Sequence, residues 1–79
     1  MNKLFTVTRY AVEYAAGRYI SPRPGCTART PRTARHFNEL EYARDALRDL
    51  IARRPELVTL GARIIRVTTS YEPVREDEL

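Results

Sequence analysis

Residues 38–54 read NELEYARDALRDLIARR, and this stretch decides the fold. Leu40, Ala43, Leu47, Leu50 and Ile51 recur at helical spacing and make one apolar stripe. Asn38 suits an N-cap, and Glu41 three residues later completes a capping box. Phe37 and Tyr42 stand where a hydrophobic staple would close around that cap. Glu39 and Glu41 sit at the positive end of the helix dipole, and Arg53 and Arg54 at the negative end. Asp49 and Arg53 can pair at i,i+4 for about 0.3 kcal/mol. Pro55 disfavours helical geometry at Arg54 and ends the run.

One amphipathic helix needs an apolar surface to cover, and the flanking segments read as strands. Residues 3–14, KLFTVTRYAVEY, are rich in β-branched and aromatic types. Their alternation changes phase: Phe5 and Val7 share one face, Tyr10, Val12 and Tyr14 the other. A bulge near Thr8-Arg9 would reconcile the halves, since one extra residue flips the register. Ala16-Gly17-Arg18 supplies a turn, and Arg18–Ser21 returns as a short second strand. Pro22, Pro24, Gly25 and Pro31 mark a basic loop at about 21–31. Arg32–Phe37 reads as a short strand leading into the helix. After Leu57–Leu60 and a turn at Gly61, ARIIRVTTSY forms the last strand. Ile65, Val67, Thr69 and Tyr71 share one side of it, and Ile64, Arg66, Thr68 and Ser70 the other.

The expected fold is a single α+β domain over 1–79, with an acidic tail at about 73–79. A small antiparallel β-sheet of three to four strands carries one α-helix on one face, in the order β-β-(β)-α-β. The opposite face has no helix to cover it, and some of Thr6, Thr8, Tyr10, Arg66, Thr68 and Ser70 would line it. A core of this size supplies about 3–5 kcal/mol of net stability. An uncovered strand edge could pair two copies, or Pro22, Pro24 and Pro31 could protect it; a monomer is the expectation.

Charge is segregated along the chain. Residues 1–37 hold seven basic residues and one acid, Glu13, whereas 38–79 hold seven arginines and nine acids. The excess of +6 in the first part exceeds the net +4 of the whole. Arg18 to Arg35 contains no Asp or Glu. Thirteen of the fourteen basic residues are arginine, a bias spread through the chain that also fits a GC-rich genome. Only the clustering therefore points to use, as an electrostatic binding surface for phosphates or an acidic protein face. The candidate partner-binding residues are Arg9, Arg18, Arg23, Arg29, Arg32 and Arg35. Tyr10, Tyr14 and Tyr19 could add stacking on bases. Arginine and tyrosine equally suit a protein interface.

Catalytic chemistry has little to stand on. His36 is the single histidine and Cys26 the single cysteine. A nucleophile–base pair of the two lacks a third, orienting group. Together they are too few for a zinc site, and the three glycines are too scattered for a phosphate loop. No enzyme activity, metal or cofactor is expected. A lone cysteine, no apolar leader (Arg9 and Glu13 interrupt it) and no membrane-length run point to the cytoplasm. The terminal Glu76-Asp77-Glu78-Leu79 looks like a retrieval signal but reads as a solvated tail.

The hairpin KLFTVTRYAVEYAAGRY, the helix NELEYARDALRDLIARR and the strand ARIIRVTTSY resemble, in size and order, small phage-encoded type I anti-CRISPR proteins. The resemblance implies a non-enzymatic inhibitor. Such a protein binds a nucleic-acid-handling complex and blocks target DNA binding by a type I surveillance complex. Many such inhibitors are acidic DNA mimics. The positive charge of this chain points instead to occlusion, with the arginine cluster gripping an acidic surface or the complex's nucleic acid. The alternative is a direct nucleic-acid-binding accessory protein.

Overall fold

The computed structural model describes residues 5–72, together with 74 and 77. Strand β1 spans Phe5–Ala15, β2 Arg18–Ile20, β3 Thr27–Ala28 and β4 Arg63–Tyr71. Helix α1 spans Leu40–Arg53, and a 3-10 turn follows at Pro55–Leu57. The four strands form one antiparallel sheet in the order β3-β2-β1-β4, with α1 packed against it. This is the expected α+β architecture. The tail read at about 73–79 lies mostly outside the described residues. Among the described residues no helix is long and apolar enough to cross a membrane.

Four local expectations need correction. The first is the cap. Glu39 occupies the N-cap position and makes no side-chain cap hydrogen bond. Asn38 lies one residue further out, where its side-chain oxygen accepts a hydrogen bond from the Arg9 guanidinium. The Asn38–Glu41 capping box therefore does not form. The staple also fails, because Phe37 is buried while Tyr42 is exposed. Phe37 instead enters the core beside Ala43 and Val12.

The second correction concerns the bulge. β1 and β4 pair without interruption from Phe5↔Tyr71 to Glu13↔Arg63, so no residue is inserted at Thr8-Arg9. The register shifts on the other side of β1, between Glu13 and Ala15, where β2 begins to pair. The phase change in the sequence has a different cause: both faces of β1 are buried in its second half. Ala11 and Val12 are neighbours on opposite faces, and each is 0% exposed.

The third concerns the faces. Val12, Phe37 and Ala43 form the helix-side cluster, with Tyr10, Ile20, Ala46, Leu47 and Ile64 packed around them. Tyr10 and Ile64 therefore lie on the covered side of the sheet, the side expected to be open. The other face is covered as well. Ala11, Tyr19, Ala28 and Ala34 cluster there, with Ile65 and Val67 against them. The covering piece is the basic segment itself, folded back across the sheet.

The fourth concerns Arg32–Phe37, which is not a strand. The third strand is Thr27–Ala28, inside the stretch read as loop, paired to β2 through Tyr19↔Ala28 and Ile20↔Thr27. Phe37 makes a single bridge to Tyr10, with backbone bonds of 2.9 and 2.7 Å in the two directions. The Arg35 N–H donates to the Ile20 carbonyl at 2.8 Å. Arg35 and Phe37 thus continue the line that β2 leaves at Ile20.

The ribbon outruns its cover. Eleven residues of β1 reach about 37 Å at strand rise, while fourteen residues of α1 reach about 21 Å. At the free end Phe5 and Tyr71 stack with centroids 5.2 Å apart, both solvent-exposed.

Where β2, β1 and β4 lie side by side, Glu13 is 7% exposed. The Arg63 Nε–H donates to its carboxylate at 2.8 Å. A hydrogen bond from the Tyr19 phenol, and then that from Arg63, hold the Glu13 carboxyl below its ordinary value of 4.5. The same bond raises the Tyr19 phenol above its ordinary 10.0. A lowered carboxylate pKa stabilises the fold above the unfolded value, and that contribution drains as pH falls through the folded value. A raised phenol pKa stabilises below about 10 and is lost as pH rises through its folded value. The network therefore contributes fully between these limits. Glu13→Gln should cost about 1–3 kcal/mol at neutral pH and flatten the acid limb of stability against pH. Urea titrations of both proteins from pH 3 to 8 check this, and parallel acid limbs would refute it.

Candidate arginine-bearing interface

Small residues are what allow the basic segment to lie on the sheet. Ala28 and Ala34 are buried against Ala11 and Tyr19, and the residues beside them, Arg29 and Arg35, are left in solvent. Two turns shape the path. Arg23-Pro24-Gly25-Cys26 closes with the Cys26 N–H donating to the Arg23 carbonyl at 3.2 Å. Pro24 followed by Gly25 at φ 75° is the signature of a type II turn, which requires a residue that tolerates positive φ. The Ser21 hydroxyl accepts from the Arg23 N–H at 3.1 Å and steadies the entry. The second turn runs from Thr30 to Ala34. The Ala34 N–H donates to the Thr30 carbonyl at 3.2 Å, and the Thr30 and Thr33 hydroxyls meet at 2.9 Å. The His36 Nε2–H donates to the Pro31 carbonyl at 2.7 Å. The histidine thereby pins the turn that carries Arg32.

All six arginines chosen from the sequence are exposed. None of them forms an ion pair among the described residues, where the pairs are Arg53–Asp49, Arg54–Glu56 and Arg63–Glu13. They do not form one patch. Arg23 and Arg29 line the same surface cleft of about 590 Å³. Arg32 lines another, of about 570 Å³, with His36 and Val67–Ser70 of β4. Arg18 stands at the start of β2, after the Ala16-Gly17 turn. Arg9 is engaged with Asn38. Arg35 lies over the ring of the buried Phe37, 5.1 Å from its centroid. The loop arginines 23, 29 and 32 are thus free to meet a partner, while Arg9 and Arg35 also brace the entry to α1.

The sequence did not point to Arg54, which lines a cleft of about 330 Å³ together with Arg23, Tyr14 and Leu50. Its place at the C-cap of α1 gives no hint that the 21–26 loop would reach it. Its guanidinium also meets Glu56 at 3.3 Å.

The tyrosines proposed for stacking are otherwise occupied. Tyr19 is buried, Tyr10 packs on the helix-side cluster, and the Tyr14 hydroxyl lies 2.6 Å from that of Thr27. Cys26 and His36 line different clefts. Among the described residues no three His, Cys, Asp or Glu side chains come together as a metal site would need. No protein-family description, curated protein or solved structure matches this chain.

The two kinds of arginine separate in a stability measurement. Arg35→Ala should lower stability by about 0.5–1 kcal/mol through loss of the cation–π contact. Arg29→Ala and Arg32→Ala should stay within about 0.5 kcal/mol of the parent. Chemical denaturation of the three variants checks the split.

Proposed function

We propose that the protein is a non-enzymatic inhibitor that docks on an anionic surface of a nucleic-acid-handling protein complex. The observation that carries this reading is the set of exposed loop arginines, Arg23, Arg29 and Arg32, without acidic partners among the described residues. Such side chains, hydrated in the free protein, are open to another molecule, and a guanidinium meets carboxylate or phosphate through paired N–H groups. A protein-bound target is favoured over free single strands, because Tyr10, Tyr14 and Tyr19 are committed to packing and internal hydrogen bonds. The helix adds no predominantly basic surface, since Arg44, Arg48 and Arg53 at its exposed positions are matched by Glu41, Asp45 and Asp49.

A type I surveillance complex is the bait selected by the resemblance in layout to small phage-encoded inhibitors. In this reading the loop covers a surface that target DNA needs, and the protein blocks by occupying it. Arg54 lines a cleft with Arg23, but its own charge is met by Glu56.

The test is a competition assay. Purified protein should prevent the complex from binding labelled target DNA. The triple variant Arg23→Glu, Arg29→Glu, Arg32→Glu should lose at least tenfold in affinity while keeping the parent's melting curve. Unchanged inhibition by the folded triple variant would exclude the arginine loop as the docking surface. A parallel titration with free DNA and RNA over a salt series separates the second reading. Direct phosphate contacts would give a slope of about −0.9 per neutralised phosphate on a double strand, whereas a protein target leaves free nucleic acid unbound.

A further inference from the structure

β4 is an edge strand nine residues long, paired to another strand on one side only. Tyr10 exchanges both backbone bonds with Phe37, so its amide and carbonyl point away from β4. Its partner across the ladder, Arg66, is then a non-hydrogen-bonded position, and the backbone groups of Arg66 point outward. The period of two gives the same direction to Ile64, Thr68 and Ser70. Four residues thus present eight backbone groups to the free edge, and none of these has a backbone partner among the described residues.

Edges of this kind are usually guarded by proline, lysine, a bulge or a covering segment. β4 has none of the first three: its sequence is RIIRVTTSY and its register with β1 is unbroken. Of the prolines expected as possible guards, Pro22 and Pro24 lie away in the basic loop. Pro31, with Thr30, Arg32 and His36, lines a cleft beside Val67–Ser70 of β4, but these residues make no hydrogen bond to the strand's outward backbone groups among the described residues. The core is also thin, with Leu57 and Val12 the only large side chains fully buried among the described residues. Chains of this size commonly gain stability by association.

We propose that the occupant of this edge is a second copy of the chain, joined β4 to β4 antiparallel about a two-fold axis through Val67, making a continuous eight-stranded sheet. Charge selects the register. With the axis at Val67, Arg66 faces Thr68 of the second copy, Ile64 faces Ser70, Ile65 faces Thr69 and Arg63 faces Tyr71. All nine residues pair, all eight outward groups find partners, and no arginine opposes another. Shifting the axis to Arg66 sets that arginine against itself, and like charges directly opposite are destabilising. Shifting it to Thr68 leaves Arg63 and Ile64 unpaired. The interface is isologous, as a closed dimer requires. It departs from the monomer expected from the sequence, and its test reads self-association alone, although Arg32 shares a cleft with Val67–Ser70 of β4.

The test is sedimentation equilibrium of the full chain over a concentration series. The parent should show a reversible monomer–dimer equilibrium. Thr68→Pro removes an outward donor and no bond to β1, and it should shift the protein to monomer with an unchanged far-ultraviolet spectrum. Thr68→Lys, which sets a second cation against Arg66 of the second copy, should do the same if the proline variant fails to fold. The register is read by air oxidation of single cysteines in a Cys26→Ser background. Val67→Cys should cross-link fastest, because a non-hydrogen-bonded pair brings Cα atoms to about 4.5 Å, within disulfide range. Arg66→Cys and Thr68→Cys do not oppose themselves and should cross-link slowly. A parent that is monomeric at every concentration would overturn the proposal. So would a dimer indifferent to both Thr68 variants, or faster cross-linking at 66 or 68.

Discussion

The structure depends on β1 being closed in on every side around Ala11, Val12 and Glu13. These three consecutive residues are buried, on alternating faces of one strand. α1 covers one face, the folded-back basic segment covers the other, and β2, Phe37 and β4 take up the edges. A glutamate in such a position is tolerable because its charge is met by a phenol and a guanidinium from the two flanking strands. The electrostatic link and the two small apolar clusters act at the same place. The rest of the molecule, including the outlying ribbon and the loop, is hung from it.

How much of this could be read in advance differs by element. The stripe from Leu40 to Ile51, the Gly17 turn into β2 and the β-branched run of β4 were legible because each is a local pattern with one dominant cause. The helix start was not. Asn38 has good capping chemistry, but Arg9, twenty-nine positions earlier, engages its side chain. Local propensity lost to a long-range partner. The phase change in β1 was visible, yet its meaning depended on knowing that a second layer exists. Nothing in the isolated strand distinguishes a bulge from a strand buried on both faces, and the residues that make the second layer possible are two alanines within an arginine-rich stretch. The same blindness affected the candidate site. The sequence showed that the arginines cluster along the chain, but only the turns at Pro24-Gly25 and Thr30–Ala34 decide which of them share a cleft.

The basic segment thus has two roles that its composition does not separate. Its alanines make it part of the fold, as the cover of one sheet face. Its arginines are raised off that face by the same anchoring. Such a surface is better ordered than a free basic arm, because Ala28, Ala34 and the His36–Pro31 hydrogen bond fix its path. A partner binding there meets side chains whose backbone is already in place, which lowers the entropy lost on association. Conversely, core substitutions at Ala11 or Tyr19 would be felt at the binding surface.

The pairing of β1 with β4 also governs how the chain reaches this state. Glu13 and Arg63 are separated by 50 positions, and every other rung of that ladder spans more. The hairpin, the loop and the helix all lie within the segment this ladder closes. On a ribosome, β1 is therefore synthesised well before the strand that completes its second edge. Until then, β2 and the returning Phe37 are available to its first edge and α1 to its covered face. Contacts of such long range are slow to form, because the closure entropy is spent before the ladder returns it. Assembly is thus expected to be late and concerted, with the arginine-bearing half able to organise first and the sheet completed only when β4 arrives.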